Sequence, residues 1–341
     1  MANIDDVAKA AGVSKSTVSS VFSKKRPISK EVTELVLKVA RDLNYKPNYW
    51  ARTLATKETR ILGLNMQAEK VKFSQFHLSL MNGVLQECYE NGYQLLVNTL
   101  SPEFLKDIQN QVSSPVDGEI LMDPEKKDSR LNRDTISDRP TVIIGKPPEE
   151  FEHVISYVDN DNVGIAFDVT TYLLDDGHEQ ILFLNAPNHR TVSIDRELGY
   201  KRAFLAKSKS HSPELIVYKK ENLTSVEYGY QTTLKMLREH PTITAVIADT
   251  DKMALGVYRA VKELNLSIPS QLSVFAFSDH SIFAKEFDPP LSSAKLNSEL
   301  LGSEAAKLLI EQIQSKHKLV KRVVIPGELI HRGSASTVQK E

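Results

Sequence analysis

The stretch from residue 4 to residue 54 most constrains the fold of this chain, because its helix start and stop signals lie close together. Asn3 is a suitable N-cap for a first helix, and Asp6 places a carboxylate in the first turn, where the helix dipole favours it. Gly12 can end that helix in the left-handed conformation, and Ser14 can cap the next helix at once. The spacing predicts two short helices joined by a tight turn.

The second predicted helix divides into an apolar face and a polar face. Val18, Val21 and Phe22 follow the i, i+3, i+4 spacing of a buried stripe. The outward positions are short, polar or cationic, and they are Lys15, Ser16, Thr17, Ser19 and Ser20. A helix that enters the major groove of DNA needs such side chains near its N-terminus, with its cap against phosphate. The pattern predicts a DNA-binding helix-turn-helix headpiece, and a plain three-helix packing unit is the alternative.

A third helix and a short connector follow. Ser29 can cap the third helix, and Asn44 can end it. Its apolar positions, predicted to close a small core, are Val32, Leu35, Val36, Val39, Ala40 and Leu43. Pro47 cannot continue a helix, whereas Asn48 can start a short one over residues 49–55. Because so short a helix is marginal alone, we expect it to form only against its twin in a dimer and a DNA groove.

Three motifs in this region are long and specific. They are Ile4-Asp5-Asp6-Val7-Ala8-Lys9-Ala10-Ala11-Gly12-Val13-Ser14, Thr17-Val18-Ser19, and Pro47-Asn48 with Ala51-Arg52-Thr53-Leu54. They resemble the lactose/galactose repressor (LacI/GalR) family of transcriptional regulators. The resemblance implies that Leu54 matches the hinge leucine that enters between two base pairs from the minor groove and kinks the duplex. Ordinary packing in a linker is the alternative for Leu54.

The resemblance also implies which residues contact double-stranded operator DNA. They are Ser14, Lys15, Ser16, Thr17, Ser19, Ser20, Asn48, Arg52, Leu54 and Ala55. Ser20 departs from the family pattern, because many members carry arginine or histidine there. Serine discriminates weakly between bases, so we expect sequence specificity to depend on Lys15, Ser16 and the hinge.

The charge distribution is uneven along the 341 residues, although the net charge is only -1. Residues 1–60 carry 12 Lys and Arg against 6 Asp and Glu, whereas the remainder carries 31 against 38. Positive charge is therefore concentrated where DNA is expected. The single cysteine, Cys88, excludes an internal disulfide and is expected to be a small buried residue. No signal peptide or transmembrane run is recognisable, so a cytoplasmic protein without a membrane partner is expected.

From Arg60 onward, apolar strands alternate with amphipathic helices, which is the pattern of a parallel sheet. Strands are predicted over 61–66, 94–99, 119–122 and 142–144, with helices over 79–91 and 104–112. The pattern then restarts. Helices are predicted over 163–174, 195–206, 226–239 and 252–264, and strands over 181–185, 215–218, 245–248 and 273–277. Two doubly wound α/β lobes are the simplest account.

A final helix over 299–315 and a basic strand over 321–326 follow Pro289-Pro290. The resemblance implies that these segments return to the first lobe and then to the second, as in periplasmic-binding-protein-like folds. The predicted domains are a headpiece over 1–46, a hinge helix and linker over 47–59, a two-lobed effector-binding and dimerisation domain over 60–333, and a polar tail over 334–341. Because that tail lacks leucine heptads, a homodimer is expected rather than a tetramer.

Doubly wound sheets bind ligands at the carboxyl ends of their strands, so the residues after each strand should line a cleft between the lobes. Those residues are Asp123, Lys146, Asn185, Thr250, Asp251, Ser278 and Asp279. They are short, polar and mixed in sign, which favours a polyhydroxylated ligand. Phe76, with Ser74, could stack on a sugar face, and a core phenylalanine is an equal alternative.

Arg196 matches the effector-binding arginine of the family, whose planar donors can hold two adjacent hydroxyls. A surface helix arginine paired with Glu197 or another neighbour is the alternative. Ser278 stands where many sugar-binding members have aspartate, although Asp279 follows it. With the motifs at 144–147, 157–162 and 250–251, this substitution most resembles the maltose-type regulators of Gram-positive bacteria. Maltose or a short maltodextrin is the expected effector.

No catalytic constellation is recognisable, and neither a cofactor nor a metal site is expected. His178 follows a predicted helix, so a capping or packing role is expected for it. The sequence therefore predicts an allosteric repressor of carbohydrate-utilisation genes that binds a pseudopalindromic operator. A sugar-binding transport or sensory protein without DNA regulation is the alternative, and a sugar-active enzyme is a third hypothesis.

Overall fold

The computed structural model describes residues 2–23, 26–46, 58–67, 74–100, 115–131, 139–220, 222–277, 282–315 and 319–338. The chain splits into two units, Met1–Thr59 and Arg60–Glu341. Several predictions lie outside the described residues. They concern the hinge residues Asn48, Arg52, Leu54 and Ala55, the helix over 104–112, and the cleft residues Ser278 and Asp279.

The first unit contains three helices: α1 (Ile4–Ala10), α2 (Lys15–Ser23) and α3 (Lys30–Asp42). The Asn3 side chain accepts hydrogen bonds from the Asp5 and Asp6 amides, and the Asp6 carboxylate accepts one from the Asn3 amide at 2.9 Å. This reciprocal cap fixes the start of α1. Gly12 has a φ of +64°, so the turn into α2 uses the left-handed conformation that glycine allows. The predicted helix-turn-helix is confirmed.

The headpiece core is small and centres on Val7, Val18 and Val36, which are fully buried. Phe22 packs edge-on against Tyr45, with ring centroids 5.8 Å apart. The prediction that Leu35 and Leu43 join this core is wrong, because they are 45% and 38% exposed. The short α1 and α2 cover only the side of α3 that carries the buried Val36 and Ala40, and the two leucines lie beside that narrow strip.

The second unit begins with a six-stranded parallel sheet, ordered β11-β5-β4-β3-β1-β2. Its strands are β1 (Ile61–Gln67), β2 (Gln94–Leu100), β3 (Gly118–Met122), β4 (Thr141–Ile144), β5 (Ser156–Asn160) and β11 (Arg322–Ile325). Helices α4 (Gln75–Asn91) and α9 (Ser298–Gln314) cover one face, where Leu62, Leu64 and Ile120 are fully buried. The two helices approach closely, because a Cβ at Gly302 would lie 2.0 Å from the Leu80 carbonyl. We call this the first lobe.

A second sheet, ordered β12-β10-β9-β8-β6-β7, forms the second lobe. Its strands are β6 (Ile181–Asn185), β7 (Ile216–Tyr218), β8 (Ala245–Ala248), β9 (Ser273–Phe277), β10 (Ser292–Lys295) and β12 (Glu328–Ile330). All neighbours are parallel except β12, which runs antiparallel to β10. Helices α5 (Asn162–Asp175), α6 (Thr191–Ala206), α7 (Ser225–Glu239) and α8 (Asp251–Glu263) complete the lobe. The continuous apolar strands are buried on both faces, as predicted.

The chain crosses between the lobes at residues 160–162, 295–298 and 325–328. These crossings confirm the expected return of the late segments to each lobe. Strands β5 and β10 were not predicted, because they carry polar residues such as Ser156, Asp159 and Ser293, although these side chains are buried. Strand β12 was not predicted, because it has only three residues. A period-based prediction recognises apolar runs and therefore misses polar strands.

The segment predicted as a polar tail packs against the second lobe. Ser334 is fully buried, and its carbonyl accepts a hydrogen bond from the Val274 amide at 2.7 Å. The Val338 amide donates to the Asp176 carbonyl at 2.8 Å. Buried His178 lies 2.9 Å from the Thr244 hydroxyl and 3.0 Å from the Ser336 carbonyl, so it is a packing histidine as predicted. Within the described ranges, no helix is long and apolar enough to cross a membrane.

Candidate functional site

The polar face of α2 presents hydroxyl and ammonium groups to solvent. Ser14 precedes the helix, and its Oγ accepts a hydrogen bond from the Thr17 amide at 3.1 Å. The same oxygen lies 2.7 Å from Ser16 Oγ and 2.9 Å from Thr17 Oγ1. Ser16 and Ser19 are exposed, whereas Thr17 and Ser20 are half-buried. The helix therefore presents small donors and acceptors without bulk, which suits the edges of base pairs.

Lys15 is 64% exposed at the start of α2, and its ammonium pairs with the carboxylate of Asp5 on α1. This pair was not predicted from sequence, since Asp5 lies ten residues before Lys15 and on a different helix. An exposed ion pair contributes little stability. Any anionic partner of the Lys15 ammonium would have to compete with the Asp5 carboxylate.

The two lobes meet through the loops that follow β3 and β6. The Lys126 amide donates to the His189 carbonyl at 2.8 Å, and the Thr191 amide donates to the Pro124 carbonyl at 3.3 Å. Arg190 Nη1 lies 3.3 Å from Asp123 Oδ1 across the same contact. These bonds hold the two lobes together on this side of the cleft.

Asp123 is surrounded by positive or hydrogen-bonding groups. Burial raises the pKa of its carboxyl, but the charges of Arg190, His77 and Arg130, with a hydrogen bond from His77, outweigh burial and lower the pKa well below its usual range. His77 Nε2 lies 3.6 Å from Asp123 Oδ2. Asp123 is therefore held as a carboxylate between the lobes.

Arg196 lies on α6, and its side chain is only 7% exposed. Its guanidinium pairs with the carboxylate of Asp249, which directly follows β8. Its Nε donates to Asn162 Oδ1 at 3.2 Å, and its Cζ stands 4.3 Å from the ring centroid of Phe277. The alternative of a surface arginine is wrong, because the side chain is buried, and its ion-pair partner is Asp249 rather than Glu197, which pairs with Lys201.

A cavity of about 160 Å³ opens beside this arginine, where the chain crosses from β5 to α5. It is lined by Lys146, Glu152, Tyr157, Asp159, Asn160, Asp161, Asn162, Val163, Asp195 and Val324. Lys146 Nζ lies 3.8 Å from Asp195 Oδ1. The Oδ1 atom of buried Asn160 has no hydrogen-bond partner among the described residues. The cavity is rich in acceptors, so ligand hydroxyls would find partners there.

Asp159 is the most perturbed carboxyl of this cavity. Burial, together with the charge of Asp195, raises its pKa to about 7, although hydrogen bonds from Asn160 and Asn162 and the charge of Arg196 oppose the rise. Its Oδ1 accepts from the Asn160 amide at 2.8 Å and from Asn162 Nδ2 at 3.0 Å. Burial likewise raises the pKa of Asp195. Near neutral pH, Asp159 can therefore donate or accept a hydrogen bond.

Most of the other residues predicted to bind the effector have structural roles in capping or packing. Ser74 caps α4 and lies 2.6 Å from His77 Nδ1, and Thr250 caps α8 by accepting from the Met253 amide at 3.2 Å. Asp251 Oδ1 accepts from the Lys252 amide, and Asn185 is fully buried, bonding the Ser193 carbonyl and the Ala186 amide. Phe76 is half-buried and packs against the cores of both lobes. Of the predicted set, Lys146 lines the cavity and Arg196 lies beside it.

Five residues of this region were not predicted from sequence as site residues, namely Asp159, Asn160, Asp195, Asp249 and Arg190. Asp159 and Asn160 end strand β5, so the rule that ligands bind at the carboxyl ends of strands would have pointed to them if β5 had been predicted. Asp249 is the first residue after β8, but Thr250 and Asp251 were chosen instead. Arg190 comes from the loop after β6, and its partner Asp123 lies 67 residues away, so no local pattern links them.

Comparison with known proteins gives the same architecture. Residues 3–48 match the family described as bacterial regulatory proteins, lacI family, and residues 170–335 match the periplasmic binding protein-like domain. The chain is 32% identical to the transcriptional regulator MalR of Staphylococcus xylosus, covering 100% of both chains. It is 31% identical to the transcriptional repressor PurR of Histophilus somni (strain 129Pt), covering 99% of this chain and 100% of PurR.

Among solved structures, a complex of the transcriptional regulator CelR with cellobiose is similar, with a TM-score of 0.74 and 26% identity. The match covers 98% of this chain and 100% of CelR. The two-lobed fold and the headpiece predicted from sequence are thereby confirmed. The chain belongs to the lacI family of bacterial regulatory proteins and is a DNA-binding transcriptional regulator.

Proposed function

We propose that the protein represses carbohydrate-utilisation genes and is released from DNA by a neutral saccharide. As a homodimer, it would place two α2 helices on the half-sites of a pseudopalindromic operator, with paired hinges and Leu54 in the minor groove. Such a regulator acts in the cytoplasm, where its DNA is. The headpiece favours this function over a sugar-binding transport or sensory protein, which has no use for it.

The observation that carries the effector proposal is the position of Arg196 beside an acceptor-rich cavity. A saccharide offers hydroxyls that can accept from a guanidinium and donate to the carboxylate and amide oxygens of Asp159 and Asn160. We propose maltose or a short maltodextrin, held by Arg196 and Lys146 together with Asp279. The relative that was solved with cellobiose supports a disaccharide-sized ligand.

The cavity of about 160 Å³ is smaller than the roughly 300 Å³ at which pockets for small molecules begin. A disaccharide would therefore bind only if the lobes move apart or re-pack. A ligand that favours one lobe arrangement shifts the protein toward it, which is the step that would uncouple the hinges from DNA.

A thermal-shift screen against mono- and oligosaccharides tests the proposed effector class. A ligand at a hundred times its dissociation constant adds about 2.7 kcal/mol to the free energy of unfolding. Maltose and maltotriose should raise the melting temperature, and glucose 6-phosphate should not. Stabilisation by the phosphorylated sugar alone would contradict a neutral saccharide, and sedimentation of the same sample should give a dimer.

A further inference from the structure

Asp249 and Arg196 form a self-contained pair at the ligand-facing end of the second lobe. The guanidinium uses Nη1 for Asp249 and Nε for Asn162, and it stacks on Phe277. Within the described part of the chain, no acceptor lies within hydrogen-bond distance of its Nη2. The arginine is thus already neutralised by a carboxylate of its own chain.

Among the described residues, Arg196 is the hydrogen-bonded partner of the Asp249 carboxylate, whose charge also helps to raise the pKa of Arg190. Its backbone is fixed by its amide, which donates to the Leu184 carbonyl at 2.9 Å. The N-cap of α8 is made by the next residue, Thr250. The side chain is only 12% exposed, so the carboxylate is directed at the guanidinium rather than at solvent.

The charges around this pair are mostly negative. The neighbouring cavity holds Glu152, Asp159, Asp161 and Asp195 against the single ammonium of Lys146. Arg190 at the lobe contact pairs with Asp123, and the charges of Asp123, Asp249 and Glu125 surround it, although its buried Nε has no hydrogen-bond partner among the described residues. A phosphate or carboxylate entering here would meet an arginine whose positive charge is already neutralised by Asp249. It would also be repelled by several carboxylates, and this repulsion is poorly screened in a buried site.

We propose that Asp249 is a specificity-determining residue, which occupies the Arg196 guanidinium where the acidic group of an anionic ligand would otherwise bind. This inference rests on the proposed function in taking the cleft as the effector site. A neutral polyol is still accepted, since its hydroxyls can accept from Arg196 Nη2 and donate to Asp249. An anionic ligand would have to displace the internal carboxylate, and it is therefore excluded.

The test measures binding of inorganic phosphate to the full-length protein by calorimetry at constant ionic strength. Asp249→Asn keeps the shape of the side chain but removes its charge, and Asp168→Asn makes the same change at an exposed position on α5. We expect no saturable phosphate binding by the wild type or by Asp168→Asn. Asp249→Asn should show saturable binding of phosphate, because the guanidinium then lacks its anion.

Two further variants link the effect to the pair. Asp249→Asn combined with Arg196→Met should lose the gained phosphate binding, and Asp249→Glu should continue to exclude phosphate. Asp249→Ser is a second neutral variant, used if Asp249→Asn does not fold. Saturable phosphate binding by the wild type, or a gain in Asp168→Asn equal to that in the Asp249 variant, would overturn the inference. If no saccharide binds the wild type but the Asp249 variant still gains phosphate, the proposed effector falls and this inference stands.

Discussion

Asp123 and Arg190 form an ion pair between the two lobes, with 3.3 Å separating Oδ1 of the aspartate from Nη1 of the arginine. The pair stands beside a bridge in which Glu125 and Arg190 run antiparallel. Because the residues come from different lobes, any opening of the cleft on this side must separate them. The pair is therefore a measurable marker of lobe closure.

Asp123→Asn should loosen this contact without unfolding either lobe. We expect the amide protons of Lys126 and Thr191, which donate across the contact, to exchange with deuterium roughly fivefold faster, since losing one charge-assisted bond costs about 1 kcal/mol of local closure. Hydrogen exchange read by mass spectrometry measures this, with the exposed Asp168→Asn as the control. Equal protection in the two variants would mean that the pair does not hold the lobes together.

Asp5→Asn should strengthen DNA binding, because it releases the Lys15 ammonium for phosphate. We expect an affinity gain of a few fold and a salt dependence steeper by up to about one phosphate contact. Anisotropy of a labelled duplex over a salt series gives both quantities. Asp42→Asn removes the same charge from an exposed position of α3, and indistinguishable behaviour of the two variants would refute a specific role for the pair.

Asp159 should make the stability of the protein depend on pH. Its folded pKa of about 7 exceeds the unfolded value of about 3.9, so the folded state binds the proton more tightly. The resulting stability is complete below about pH 4 and is lost as pH rises through 7, by up to about 4 kcal/mol. The Asp159→Asn variant has no carboxyl at this position, so its stability should not fall with pH for this reason. Urea unfolding should therefore show the wild type falling relative to the mutant between pH 4 and pH 8, and a constant difference would contradict the raised pKa.

Arg196→Ala should weaken saccharide binding by about 10- to 150-fold, since removal of the guanidinium leaves polar partners unpaired in a buried site. Operator affinity without saccharide should be unchanged. Because the substitution also leaves Asp249 unpaired, Arg196→Lys serves as a second variant that keeps the charge and loses the planar donors. Calorimetry measures the affinity of each variant for maltose. Arg202→Ala, at an exposed position of the same helix, is the control. A saccharide affinity equal to wild type in both Arg196 variants would remove the arginine from the effector site.

The headpiece was predictable because its signals are local. Asn3, Gly12 and Ser29 each act within three or four residues of their position, so the helix boundaries follow from the sequence. The apolar strands of both lobes were predictable for the same reason. Strand β5 was not, because its buried Asp159 and Asn160 resemble a polar loop until their tertiary partners are known.

The candidate site was predictable only in part. Arg196 was identified through the family resemblance, but its partner Asp249 lies 53 residues away. The pairing depends on how α6 packs beside the end of β8. The hydrophobic periodicity of the sequence does not reveal how close these two elements lie. Likewise, the hydroxyls of Ser74 and Thr250 looked available for a ligand in the sequence, whereas the fold uses them as helix caps.

Allosteric control of DNA binding by a saccharide in the cleft is tested most directly by measuring DNA affinity with and without bound saccharide. A duplex is first selected from a random library by the full-length protein, and its affinity is measured by anisotropy at one salt concentration. We expect a pseudopalindromic duplex whose affinity falls by about 5- to 150-fold when the saccharide identified by thermal shift is saturating. An unchanged affinity, with saccharide binding verified by calorimetry in the same buffer, would contradict allosteric control of DNA binding by the cleft.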